Sequence, residues 1–173
     1  RVARLPEAEF VYGRPNASIV MAAFLHVAPG GMRFNPGELG AWYASAALAT
    51  AAAEVGHHLR REAVARGVPM MRRRYRAYTA ELDGDYLDLR GQQAARADVY
   101  ASGSYVASQV LGEAVRAAGG AGLIYDSLRH AGGINVVAHR PRNVLNVVQT
   151  DHYEVAVHAA VRRRKPVLAV DLT

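Results

Sequence analysis

Cysteine is absent from the 173-residue sequence. Its absence excludes disulfide bonds, catalysis by a thiolate and the common cysteine-containing zinc sites. This composition is compatible with a cytoplasmic protein, and we expect that location. Hydrophobic residues make up 51% of the sequence, which is typical of a globular chain and not of a disordered one. Because 173 residues is a typical length for one domain, we expect a single domain over residues 1–173.

Long hydrophobic runs, phosphate-binding loops and internal repeats are also absent. The most apolar stretches, such as Ala44 to Ala53, are much shorter than the roughly 20 residues that a membrane-spanning helix needs. No signal peptide is visible at the start, although the chain begins at Arg1 without a methionine. Neither a Walker loop nor a G-x-G-x-x-G sequence occurs, so the standard phosphate cradles are missing. We expect no association with a membrane and no bound cofactor or metal.

Positive charge dominates the sequence, with a formal net charge of +6 carried almost entirely by arginine. Such clusters can bind nucleic acid, acidic protein partners or anionic nucleotides. They can equally be solvated helix ends and loops, since charge runs have little diagnostic value alone. The clusters are Arg60-Arg61, Arg72 to Arg76, and Arg162 to Lys165.

Two helices are predicted by composition and by their end signals. Ser45 is a plausible N-cap for an Ala-rich helix that runs to about Arg66. Ser102 or Ser104 opens a second helix, which ends at Gly119-Gly120. Residues 16–28 are apolar, but their period does not distinguish a helix from a strand.

Short strands outnumber these helices, and their order does not repeat a strand–helix–strand unit. Asp83-Gly84 predicts a hairpin between residues 74–82, which alternate as RYRAYTAEL, and a strand at 86–89. We therefore predict an α+β fold with mixed or antiparallel sheets. The remaining strands are expected at 41–44, 123–125, 134–139, 144–149, 153–160 and 167–172.

Three separated pieces of sequence carry candidate functional groups. Arg33 follows Gly30-Gly31, where the backbone can approach a ligand closely and the guanidinium can bind phosphate oxygens through two hydrogen bonds. Tyr43 and Glu54 lie eleven residues apart, and Glu54 stands in an otherwise apolar helical stretch. Glu54 is therefore either on the exposed stripe, paired with His58, or placed in a cleft.

The third piece is GLIYDSLR followed by GGIN, in which a strand ends near Ser127 and glycines turn the chain into the next strand. Strand ends commonly present functional side chains. Ser127 could be a nucleophile, but no G-x-S-x-G elbow surrounds it and no triad can be assigned from spacing.

Together these pieces resemble the RES-domain family, which is named for Arg, Glu and Ser and whose members are toxins of bacterial type II toxin–antitoxin systems. The resemblance runs from about Tyr12 to Tyr153. Its strongest stretches are GGMRFNPGELGAWYASAALATAAAEV and GLIYDSLRHAGGINVVAHRPRNV. It implies a fold similar to that of ADP-ribosyltransferases and NAD as the substrate.

The resemblance also implies roles for five residues. Glu54 would stabilise positive charge on the ribose of NAD, and Tyr43 would pack on the nicotinamide or ribose. Arg14, in Gly-Arg-Pro, and Arg33 would clamp the pyrophosphate. Ser127 would hydrogen-bond the nicotinamide ribose or amide. The acceptor of the ADP-ribose would be a protein side chain, phosphate or water, and the sequence leaves this choice open.

Partners follow from the same resemblance. It implies a cognate antitoxin of the Xre or MbcA/ParS type that covers the active site, and a homodimer within a larger toxin–antitoxin complex. A protein target for ADP-ribosylation is a further expected partner if the acceptor is a side chain.

Two other functions remain open from the residues themselves. A nucleic-acid-binding module would use the arginine clusters, although aromatic residues are not interleaved with them and no recognition-helix motif is present. An RNase toxin would use histidines as acid and base, but no pair has a diagnostic spacing, and adjacent helical residues such as His57 and His58 face different directions. The candidates for that chemistry are His57, His58, His130, His139 and His152.

Overall fold

The computed structural model describes residues 5–160 and 167–170. This part of the chain contains three α-helices and seven strands, and the strands form two sheets. The predicted α+β class with mixed and antiparallel sheets is confirmed. In chain order the elements are α1 (Ala17–Leu25), β1 (Trp42–Ser45), α2 (Leu48–Ala65), β2 (Met70–Leu82), β3 (Tyr86–Asp88), α3 (Val106–Ala117), β4 (Gly122–Asp126), β5 (Ile134–Ala138), β6 (Val144–His158) and β7 (Val167–Val170).

The first sheet has the strand order β1-β5-β4-β3, in which only the β3–β4 pair is parallel. Because side chains alternate across a strand, each face of this sheet has its own core. On one face Leu123, Tyr125 and Val137 pack with Phe34 and Leu89, against which α3 also packs. On the other face a second cluster forms, which includes α1 and the near end of β6 and comprises Val20, Phe24, Trp42, Ala138, Val144 and Val147.

The second sheet is antiparallel, in the order β2-β6-β7. Strands β2 and β6 pair along nearly their whole length, from Met70 opposite His158 to Leu82 opposite Val144, with two register shifts. Helix α2 covers one face of this sheet, where Leu59 packs against Val155 and Val157. Since α2 also begins shortly after β1, it connects the first sheet, which contains β1, to the second sheet, on which it packs.

Several predicted boundaries require correction. Ser45 is not the N-cap of α2, because it is the last residue of β1 and its hydroxyl donates a hydrogen bond to Asn135 Oδ1. The helix begins three residues later, with Ala47 as an N-cap that provides no side-chain hydrogen bond. The strands expected at 144–149 and 153–160 are one strand, β6. The strand predicted at 167–172 is present over Val167–Val170, and positions 171 and 172 lie outside the described residues.

The hairpin predicted at Asp83-Gly84 is wrong. β2 pairs with β6 and β3 pairs with β4, so the Asp83-Gly84 turn carries the chain from one sheet into the other. The turn is stabilised by a residue that is distant in the sequence: Asp83 N donates to Asn143 O at 2.9 Å, and Asn143 Nδ2 donates to Asp83 O at 2.7 Å. Gly84 has φ +106°, a conformation that favours glycine. These bonds replace the local pairing that the dipeptide alone suggests.

The apolar segment at 16–28 is a helix, α1, and the second predicted helix is α3. Within the described ranges, none of the helices is both long enough and apolar enough to cross a membrane.

Candidate active site

Glu54 lies on the side of α2 that faces the connection between β4 and β5. Its Oε1 accepts two hydrogen bonds, from Ser127 Oγ at 2.7 Å and from Asn135 Nδ2 at 2.7 Å. No described residue donates a hydrogen bond to the other oxygen, Oε2. The exposed-stripe interpretation of Glu54 is therefore wrong: the carboxylate is held by one oxygen and leaves the other available in a cavity.

Ser127 positions this carboxylate from a tight turn after β4. Its Oγ accepts hydrogen bonds from the backbone N–H groups of Arg129 and His130, both at 3.0 Å, and its own backbone N donates to Gly133 O at 2.8 Å. The side chain is buried. Because a hydroxyl has one hydrogen, which here is donated to Glu54, the described contacts leave no donor on Ser127 for a substrate.

Asn135 is the other residue that holds Glu54, and sequence reasoning gave it no role. It lies on β5 directly opposite Ser45 of β1. Its Oδ1 accepts a 2.6 Å hydrogen bond from Ser45 Oγ, which fixes the amide so that its NH₂ group faces Glu54. The sequence does contain a signal for this role. Asn135 is an amide in an otherwise apolar strand that follows a Gly-Gly pair, and a buried polar side chain at such a position needs a hydrogen-bond partner.

Tyr43 connects β1 to the Arg33 segment. Its hydroxyl donates to Asn35 Oδ1 at 2.8 Å and accepts from Phe34 N at 2.9 Å. Burial raises the pKa of Tyr43 far above its ordinary value, so the phenol stays protonated and does not act as a base near neutral pH. Tyr43 therefore contributes its ring to the cavity and uses its hydroxyl to fix the loop.

Arg33 is buried beside the same cavity, with one arm of its guanidinium already in use. NH1 donates to Val99 O at 3.0 Å and to Ala101 O at 3.1 Å, and the guanidinium carbon lies 4.9 Å from the ring centre of Tyr105. Nε and NH2 have no hydrogen-bond partner in the described chain. A guanidinium fixed in this way presents its remaining donors in a defined direction.

The glycines before Arg33 shape the loop that carries it. Gly30 and Gly31 have φ of +77° and +75°, and a Cβ on Gly31 would collide with the carbonyl of Asn35. The bridge between Met32 and Asn35 closes this loop on itself. The glycines thus permit a compact loop that presents Arg33.

A cavity of about 240 Å³ joins these groups. Glu54, Tyr43 and Arg33 all line it, whereas Ser127 lies directly behind Glu54. His57 and His58 line it too, with ring centres 5.5 Å apart, although adjacent helical positions were expected to diverge. The lining residues are Met32, Arg33, Tyr43, Ala44, Ser45, Ala51, Glu54, Val55, His57, His58, Tyr105, Tyr125, Leu128, Arg129 and Asn135.

The electrostatics of the cavity are set by few groups. Burial, followed by the charge of Arg129, lowers the pKa of His57 to about 4. His57 is therefore neutral near pH 7, and the guanidinium groups of Arg33 and Arg129 are the cations beside the Glu54 carboxylate. The described residues include no group of three or more His, Cys, Asp or Glu side chains that could hold a metal ion.

Arg14, unlike the other predicted site residues, neither lines the cavity nor donates a hydrogen bond to a described residue that lines it. Its NH2 donates to the carbonyl of Pro141 at 3.0 Å and to that of Val144 at 2.7 Å. These bonds hold the start of β6 next to α1. In this arrangement Arg14 stabilises the fold and does not line the cavity.

The basic cluster on β2 and the histidines other than His57 and His58 do not line the cavity, and the cluster at 162–165 lies outside the described residues. Arg72 and Arg73, on exposed β2, form ion pairs with Glu154 and Glu62 respectively. Among the other histidines, His130 Nδ1 lies 2.9 Å from Thr50 Oγ1 and His139 is buried. Outside the cavity, the described contacts assemble no acid–base pair of histidines for an RNase.

A family model described as the RES domain matches residues 4–158 of the 173-residue chain. The match includes every cavity residue named above and all strands except β7. No curated protein matches the sequence.

Proposed function

The chain belongs to the RES domain family, and on this premise we propose that it cleaves NAD at the nicotinamide glycosidic bond and transfers the ADP-ribose. The observation that carries the proposal is the arrangement of Glu54. One carboxylate oxygen is held by two donors, and the other is available in a cavity lined by tyrosines and arginines. An ADP-ribosyltransferase-like fold and membership of a toxin–antitoxin pair are parts of the same proposal.

The chemistry needs an anion of this kind. Nicotinamide leaves with the electron pair of the bond between its ring nitrogen and the anomeric carbon, so positive charge develops on the ribose, as in glycoside cleavage. A carboxylate fixed beside the sugar stabilises that charge without having to reorganise. Glu54 is suited to this role because Ser127 and Asn135 hold one of its oxygens in place.

The walls of the cavity suit the rest of the donor. The rings of Tyr43, Tyr105 and Tyr125 provide aromatic surface for nicotinamide. The free donors of Arg33 suit a phosphate oxygen. Ser127 enters this proposal as the residue that positions Glu54, and Arg14 does not enter it.

The acceptor attacks the anomeric carbon after or during departure of nicotinamide. Water gives free ADP-ribose, phosphate gives a phosphorylated product, and a protein side chain gives mono-ADP-ribosylation. An antitoxin of the Xre or MbcA/ParS type over the cavity, and a homodimer within that complex, stay predictions of the family resemblance.

The test is release of nicotinamide from NAD by purified protein free of any antitoxin. We expect release by the unmodified chain and a loss of at least about 100-fold in Glu54→Gln, since removal of one charge-stabilising group commonly has an effect of that size. Glu62→Gln is the matched control, because Glu62 lies two turns further along α2 and forms exposed ion pairs, which contribute little.

The outcomes separate the candidate functions. Phosphate and a cell lysate are added in parallel, and the product identifies the acceptor as water, phosphate or protein. No release of nicotinamide under any condition, or equal rates in a folded Glu54→Gln variant, would overturn the proposal. RNA cleavage and nucleic-acid binding would then be tested instead.

A further inference from the structure

We propose that Arg129 forms a phosphate-binding subsite at the edge of the Glu54 cavity, for a phosphate group that lies next to the nicotinamide-bearing ribose. This inference rests on the function proposed above and specifies part of its substrate recognition.

The first observation is that the Arg129 side chain lines the cavity without a partner. It is partly exposed, and its guanidinium forms no hydrogen bond or ion pair with any residue that the structure describes. The guanidinium of Arg33, in contrast, has one arm bound to two carbonyls. A partly buried cation that lacks an acceptor is poorly compensated, and a phosphate would supply acceptors for two of its N–H groups.

The second observation is that Arg129 and Glu54 are tied to the same group. The backbone N of Arg129 donates to Ser127 Oγ at 3.0 Å, and that hydroxyl donates to Glu54 Oε1 at 2.7 Å. The main chain of Arg129 is therefore fixed relative to the carboxylate. A substrate whose ribose meets Glu54 therefore occupies a cavity that Arg129 also lines.

The third observation is the size of the cavity. About 240 Å³ is less than the roughly 300–1,000 Å³ that encloses drug-sized ligands, and a whole dinucleotide is larger than most of those. The cavity is suited to nicotinamide and its ribose. The rest of the donor would then extend beyond this cavity, where a second cavity of about 1190 Å³ shares Tyr43, Ser45 and Asn135 with it.

The charges around this edge favour an anion. Arg33 and Arg129 are permanently cationic, whereas His57 is neutral near pH 7 because its pKa is lowered to about 4 by burial and by the charge of Arg129. Glu54 is the only carboxylate among the described lining residues. Two phosphate sources fit this edge: the phosphate of the donor itself, and inorganic phosphate acting as the acceptor.

The experiment compares donors with and without the phosphate. Nicotinamide release is measured from nicotinamide riboside, nicotinamide mononucleotide and NAD, for the unmodified chain, Arg129→Ala and Arg61→Ala. Arg61 is the matched control because it is exposed on α2 and its charge also acts on His57, but it does not line the cavity.

We expect the preference in kcat/KM for the mononucleotide over the riboside to fall by roughly 10- to 100-fold in Arg129→Ala, which is the size expected for lost hydrogen bonds between charged groups. The riboside, which has no phosphate, should be slowed much less than the mononucleotide by Arg129→Ala. Arg61→Ala should keep the preference.

A second arm titrates inorganic phosphate with a fixed concentration of the riboside. If Arg129 binds the acceptor, Arg129→Ala raises the KM for phosphate while the donor preference stays unchanged. The inference is overturned if neither quantity changes, or if Arg129→Ala slows the riboside as much as the mononucleotide.

Failure of the proposed function is distinguishable from failure of this inference. If the unmodified chain releases nicotinamide from none of the three donors, the enzyme proposal fails. Isothermal titration with nicotinamide mononucleotide and with inorganic phosphate then tests the subsite directly. Equal affinity, or equal absence of binding, in the unmodified chain and Arg129→Ala would overturn it.

Discussion

Replacement of Ser127 by alanine tests whether this residue acts through Glu54 or contacts the substrate. In the structure the carboxylate oxygen Oε1 receives two donors at 2.7 Å, one of which is Ser127 Oγ. A hydrogen bond to a charged group is worth about 1.5–3 kcal/mol. Since about 1.4 kcal/mol corresponds to a tenfold change in rate, we expect kcat to fall by roughly 10- to 100-fold. Asn135 still holds the carboxylate, so activity should not be abolished.

The assay is steady-state release of nicotinamide, analysed as kcat and KM separately. A residue that only orients Glu54 changes kcat, whereas a residue that binds the ribose or amide of the substrate also changes KM. The variant also loses the acceptor for two backbone N–H groups. Its unfolding free energy must therefore be measured alongside, to ensure that the assay contains folded protein.

A double-mutant cycle with Glu54→Gln gives the sharper result. If Ser127 acts through the carboxylate, Ser127→Ala should cost little further activity in the Glu54→Gln background, because the group it positions has already lost its charge. Additive losses from the two substitutions would refute this reasoning and return Ser127 to the role of a substrate contact.

The remaining predictions concern the surroundings of the cavity. Gly112→Ala should lower the unfolding free energy by about 1–3 kcal/mol, because the new Cβ would collide with the carbonyl of Phe34. Gly103→Ala is the control, because a Cβ there meets nothing within 4 Å. Urea denaturation of both variants checks this. Burial and the charge of a neighbouring arginine lower the pKa of His139 to about 3 from 6.5. The stability that comes from keeping His139 neutral is therefore present above pH 6.5 and is lost as the pH falls towards 3, by up to about 1.4 kcal/mol per pH unit. In urea titrations at several pH values, His139→Leu should reduce the dependence of the unfolding free energy on pH. An unchanged dependence would contradict the burial argument. Arg14→Ala should lower the melting temperature but leave the KM for NAD unchanged, and a raised KM in folded protein would show that it binds substrate after all.

Local signals in the sequence were sufficient for α2, α3 and most strands, whereas they left α1 undecided between helix and strand. The Gly-Gly pair at 119–120 marks the end of α3 correctly, since α3 ends at Ala117, and the end of α2 was placed within one residue. Asp83-Gly84 misled because its hydrogen-bond partner, Asn143, lies sixty residues away. Pairing of β2 with β6, and of β3 with β4, depends on such distant contacts, which no local pattern contains.

The candidate site shows the same division. The resemblance selected Arg33, Tyr43 and Glu54, and these three do line one cavity. It could not show what each polar atom contacts. Contacts with NAD were expected of both Ser127 and Arg14; in the structure Ser127 donates to Glu54, and Arg14 donates to the carbonyls of Pro141 and Val144. Assignments of this kind require the positions of acceptors that are contributed by other strands.

The hydrogen-bonded row Ser45–Asn135–Glu54–Ser127 has a consequence for how this gene can lose its activity by mutation. Each side chain in the row forms a hydrogen bond with the next one. Most substitutions in the row therefore leave a buried donor or acceptor without a partner, and they impair folding together with chemistry. Inactive variants recovered by genetic selection at these positions should therefore be enriched in poorly accumulating proteins. Glu54→Gln is the expected exception, because an amide oxygen can still accept from both donors while the negative charge is gone. That variant should remain abundant and retain the surface that any partner binds, which makes it the form to use for isolating such a partner from cells.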